Sequence, residues 1–99
     1  MTVKVVLLKS GETLITEAKE AVVEGKTQAY VFNKPFVVTV SEPYLLTEES
    51  ELVDNSINVV LSPWIIFTPD EDIAVIPDWV VTIVDPVEGL LKMYQERVK

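Results

Sequence analysis

The chain has 99 residues, 48% of them hydrophobic and 24% charged, a formal net charge of −8, and neither cysteine nor histidine. That length builds one core, and that hydrophobicity excludes intrinsic disorder. No apolar run reaches the ~20 residues of a membrane-spanning helix, and no disulfide framework or usual zinc or copper ligand set is available.

The missing histidine and cysteine also remove the usual general base and the thiolate nucleophile. Only carboxylate chemistry would remain, so the chain reads as non-enzymatic, with no catalytic residue, cofactor or metal expected. The start, Met1-Thr2-Val3-Lys4, lacks the basic-then-apolar form of a signal peptide, which makes the cytoplasm the expected compartment. No membrane partner is expected either. Charge is uneven: residues 1–40 carry net +1, residues 41–90 carry eleven acids and no cation, and the last nine residues carry net +2. Fifty residues without a cation cannot neutralise phosphates, which argues against double-stranded DNA as a partner.

Strand signals dominate in chain order. Val3-Lys4-Val5-Val6-Leu7-Leu8 is rich in β-branched residues and ends at the turn Lys9-Ser10-Gly11-Glu12. A second strand is expected over residues 13–23, followed by the turn Glu24-Gly25-Lys26. Residues 28–32 and 36–40 read as strand on both sides of Asn33-Lys34-Pro35. Pro35 cannot donate to a ladder, so a bulge or bend is expected there. The acidic loop over residues 47–56 separates residues 36–46 from residues 57–67, which read as a long hairpin interrupted by Pro63. Thr68-Pro69-Asp70-Glu71-Asp72 reads as a solvated acidic turn rather than a cation loop, because it lacks the glycine and the ligand spacing of one. Short strands are expected over residues 73–76 and 79–84, with Pro77-Asp78 between them.

The period then changes. Asp85-Pro86-Val87-Glu88 reads as a helix start with Asp85 at the N-cap, and a helix is expected over about residues 86–98. Val87, Leu90, Leu91, Tyr94 and Val98 fall on one helical face. Trp64, Trp79, Phe32, Phe36 and Tyr44 lie in apolar runs and read as core or subunit interface. Residues 5–8, 59–61 and 79–84 are apolar on both strand faces, so a helix or a neighbouring subunit is expected to cover the second face.

Two segments resemble the Sm/Lsm family: Val3-Lys4-Val5-Val6-Leu7-Leu8-Lys9-Ser10-Gly11-Glu12-Thr13-Leu14, and Ile73-Ala74-Val75-Ile76-Pro77-Asp78-Trp79 continuing through Val84. Divergent members of this type resemble those carried by bacteriophages. The resemblance implies a mainly β, all-β fold class: a strongly bent five-stranded antiparallel Sm-like barrel over residues 1–99, here with a C-terminal α-helix. It further implies a last strand paired to a neighbour's fourth strand, closing a homo-oligomeric ring of roughly five to seven subunits, with a pentamer or hexamer favoured. The implied subunit-interface residues are Trp79, Val81, Ile83, Ile73 and Val75. RNA is the ligand the family implies, and Tyr30, Asn33 and Lys34 are the candidate contacts. Thr16 and Pro77-Asp78 stand where the family's motifs have a second glycine and a basic pair, so the ring is implied more directly than the RNA. The expected function is a non-catalytic ring acting as a binding scaffold. The alternative is a monomeric or dimeric small β-barrel adaptor that grips an unknown protein partner through its acidic loop or helix.

Overall fold

The computed structural model describes residues 2–40 and 58–99; the acidic loop over residues 47–56 and Tyr44 lie outside the described residues. Among the described residues six strands, β1 (Val3–Leu8), β2 (Thr13–Val23), β3 (Lys26–Val40), β4 (Val59–Pro63), β5 (Asp72–Val75) and β6 (Val80–Val84), precede the α-helix α1 (Glu88–Arg97). They form one antiparallel sheet in the order β4-β3-β2-β1-β6, with β5 also on β3. The mainly β class with a C-terminal helix is therefore observed. The sheet does not close, so it is an open, curled sheet rather than a full barrel.

The expected turns are present, and their cause is local. Gly11 takes φ 95° between β1 and β2, where the Leu8 N–H donates to the Glu12 carbonyl at 3.0 Å. Glu24 and Gly25 take φ 52° and 78° between the paired residues Val23 and Lys26. Two successive positive φ values make the hairpin turn whose twist matches the strands it joins.

β3 runs unbroken for 15 residues through Asn33-Lys34-Pro35, and the expected bulge sits inside it. Glu17 pairs with Asn33 and Ile15 with Phe36, so Thr16 alone opposes Lys34 and Pro35. Lys34 adopts φ 51°, which costs a side-chain-bearing residue roughly 1–2 kcal/mol. The Lys34 N–H donates to the Glu71 carbonyl at 2.7 Å, and the Trp64 N–H donates to the Pro35 carbonyl at 3.1 Å, which offsets that strain.

Among the described residues there are six strands where the implied barrel has five, because β4 and β5 both pair with β3, one on each side of this bulge. Opposite Lys34 and Pro35 the partner strand is interrupted: β4 ends at Pro63, paired with Phe36, and β5 begins at Asp72, paired with Asn33. The expected strand over residues 57–67 thus shortens to Val59–Pro63 among the described residues, and residues 64–71 leave the sheet. Trp79 also moves: it ends a 3-10 turn, Pro77–Trp79, and the last strand starts at Val80. Pro77 at the start of that turn fixes φ as a helical turn requires.

Two apolar clusters stabilise opposite faces. Val6, Leu8, Leu14, Phe32 and Val75 are buried together, with Ile73, Val80 and Ile83 packed against them. β5 and β6 lie at opposite ends of the sheet yet share this cluster, which is possible only because the sheet curls. On the other face, Ile15, Leu61 and Tyr94 are buried, with Phe36, Leu90 and Val98 against them. The helix thus covers the second apolar face of β2, β3 and β4.

Its start differs from expectation. Val87 is the N-cap, with no side-chain cap bond, and α1 begins at Glu88. Asp85 is drawn instead to Lys4 on β1, with Nζ 2.6 Å from Oδ1. Val87, expected on the apolar face, is 72% exposed.

Candidate functional site: two open strand edges

The outer edges of the sheet are backbone that has no strand partner among the described residues. Among the described residues β6 pairs only with β1, and β4 and β5 pair only with β3, so each has an outer edge with no strand partner there, although on β4 the Leu61 carbonyl accepts from Arg97. Exposed strand edges are ordinarily blunted by charge, proline or a covering loop. β6, Val80-Val81-Thr82-Ile83-Val84, has no charge and no proline. Val81 and Val84 stand exposed on it, next to the exposed Trp79 and Ile76. On the opposite edge the excursion over residues 64–71 carries Ile66 at 68% and Phe67 at 92% exposure.

The expected interface residues divide into two groups. Trp79 and Val81 are exposed, whereas Ile73, Val75 and Ile83 pack on the chain's own core. The latter three can serve an edge only through their backbone. The expected RNA contacts are not brought together as a basic platform. Tyr30 is half-buried against the core and stacks on Phe32, with ring centroids 6.4 Å apart. The Asn33 side-chain amide donates to Asp72 Oδ1 at 2.8 Å. Lys34 instead lines a shallow cleft of about 290 Å³ with Phe36, Trp64, Asp70, Glu71 and Arg97. That cleft places two carboxylates beside the two cations, which cancels attraction for phosphate.

One polar cluster escaped the sequence reading. The Asn33 carbonyl accepts from the Thr16 hydroxyl at 2.8 Å, and the Tyr94 hydroxyl lies 3.0 Å from both the Asn33 and the Lys34 carbonyls, donating to the pair. Thr16 is fully buried and Tyr94 is 1% exposed. Burial pushes the Tyr94 phenol from its ordinary 10.0 up to about 12. Arg97 completes the seal, donating to the Leu61 carbonyl at 2.8 Å and lying 4.8 Å from the centre of the Phe36 ring. Thr16 and Tyr94 are buried against backbone carbonyls, so they lock the bulge rather than face a ligand. The only sequence signal for them was Tyr94 on the apolar face of the helix and a bend expected at Pro35.

Among the described residues no group of three or more Asp, Glu, His or Cys could hold a metal ion, and no helix is long and apolar enough to cross a membrane. No curated protein matches the chain. One family profile, described as a family of unknown function, matches residues 1–99. The chain therefore belongs to that family, DUF6561.

Proposed function

We propose that this protein is a non-catalytic, Sm-like subunit that forms a homo-oligomeric ring and acts as a binding scaffold. The observation that carries this reading is the uncharged edge of β6, which among the described residues has no partner on its outer side, set against a second such edge on β4 and β5 at the far side of the same sheet. Head-to-tail pairing of one edge with the other would satisfy both rows of backbone groups, and a heterologous contact of this kind closes into a ring when its rotation allows. The apolar side chains beside both edges support the same reading, because large exposed apolar patches mark association surfaces. RNA, the ligand the resemblance implies, gains no support from Tyr30, Asn33 and Lys34, which are spread over a core stack, an amide–carboxylate bond and a cleft of mixed charge.

Native mass spectrometry, with and without a pool of short RNAs, tests the proposal. Masses near multiples of 11.1 kDa corresponding to roughly five to seven subunits are expected. A monomer or dimer would sink the ring and favour the small adaptor. An RNA-sized increment would restore the ligand the family implies.

A further inference from the structure

The two edges that the proposed ring would join are not equally open. β6 carries no charge and no proline. Just past the end of β4 the Trp64 N–H donates to the Pro35 carbonyl, and bonding alternates along an antiparallel ladder. The backbone groups of Val60 and Ser62 therefore turn toward β3, and those of Val59, Leu61 and Pro63 point outward. The Leu61 carbonyl is taken by the Arg97 side chain of α1 at 2.8 Å, and Pro63 has no N–H to offer. A cation and a proline are common protection for a strand edge.

We infer that Arg97 guards the β4 edge: it holds the Leu61 carbonyl in the isolated subunit and releases it when a second copy lays its β6 there. The inference rests on the proposed ring and adds the step that controls its assembly. Charge selects β4 over β5 as the acceptor. Every strand pair in this sheet is antiparallel, and a neighbour's β6 laid antiparallel on β5 would set its Asp85 beside Asp72. β4, Val59-Val60-Leu61-Ser62-Pro63, carries no charge and matches the five residues of β6. A released guanidinium also has a resting place, because it already lies 4.8 Å from the centre of the Phe36 ring, where cation–π attraction holds it. The side chain can thus let go while the helix stays docked through Tyr94 at the bulge.

Each ring contact exchanges the Arg97 bond for one from a main-chain N–H, so the guard subtracts from association. Arg97→Met keeps the apolar cover over Phe36 and removes the donor. It is expected to lower the concentration at half assembly, read by sedimentation, about three- to tenfold. The second measurement needs no variant. Amide hydrogen exchange of the unsubstituted protein is expected to slow at Leu61 on assembly, because that outward N–H gains a carbonyl partner along with the carbonyl that Arg97 gives up. A ring whose Leu61 amide exchanges as fast as in the isolated subunit, or whose assembly is unchanged or weakened by Arg97→Met, would leave the ring reading standing and overturn the guard. A subunit mass at every concentration, for the unsubstituted protein and the variant alike, would sink both.

Discussion

At the residue scale, Tyr94 does the work that a second main-chain strand would otherwise do. A bulge leaves carbonyls without ladder partners, and a buried carbonyl left unpaired costs about 1–3 kcal/mol. The Tyr94 hydroxyl meets two of them, and the Thr16 hydroxyl shares one. Tyr94→Phe removes that donor while keeping the ring edge-on to Phe36, and is expected to lower stability by about 1–3 kcal/mol in denaturant unfolding. The phenol has a second signature. Its folded-state value, about 12, lies above the ordinary 10.0, so its contribution is complete below about pH 10. Between about pH 10 and pH 12 the unfolded chain ionises while the folded one holds the proton, and stability falls as pH rises. The Tyr94→Phe protein should lack that component of the alkaline decline, and parallel curves for the two proteins would contradict the assignment.

At the scale of elements, the boundaries of β2, Thr13–Val23, were legible because glycine turns bracket it on both sides. Pro63 marked the end of β4 for the same kind of reason: a residue without an N–H stops a ladder. The helix start was less legible. Asp85 has cap chemistry, but Lys4 lies 81 residues away in sequence and takes the carboxylate, so a long-range ion pair displaced a local motif. The helix nonetheless does what its apolar stripe implied. It covers Ile15 and Leu61, and Arg97 near its end bonds to β4. Removing residues 86–99 uncovers that cluster and deletes Tyr94, Leu90 and Val98. At about 1.5–3 kcal/mol for each fully buried side chain, and less for the two half-buried ones, the loss is comparable with the whole stability of a small domain. Thermal denaturation of the truncated chain should show no cooperative transition, or one far lower. An unchanged melting temperature would mean that the helix does not seal this face.

For the whole molecule, the sheet's two open edges dominate. Val81 is 56% exposed on β6, so Val81→Lys should leave the subunit fold intact and put a charge on the edge proposed to pair in the ring. The expected outcome in sedimentation is a shift from the assembled species toward the subunit, with the same circular dichroism. An assembled mass equal to that of the unmodified protein would remove β6 from the proposed interface. The uneven charge bears on the same scale: most of the acids lie beyond residue 40, and Asp70, Glu71 and Asp72 border the edge that β5 presents.

What the sequence by itself determined was everything governed by near neighbours. The strand-rich class followed from β-branched alternation, the two tight turns from glycine at positive φ, the bend from Pro35, and the amphipathic helix from its 3.6-residue period. Only the tertiary structure decided which strand lies against which, that β4 and β5 share one side of β3 on either side of its bulge, and that a phenol from the last helix closes that bulge. It also decided that Ile65-Ile66-Phe67, as apolar as any core strand in the sequence, stands outside the sheet. The physical reason is the same throughout. Periodicity and turn chemistry report what a segment can bury, whereas what it does bury depends on partners brought together by the curl of the sheet.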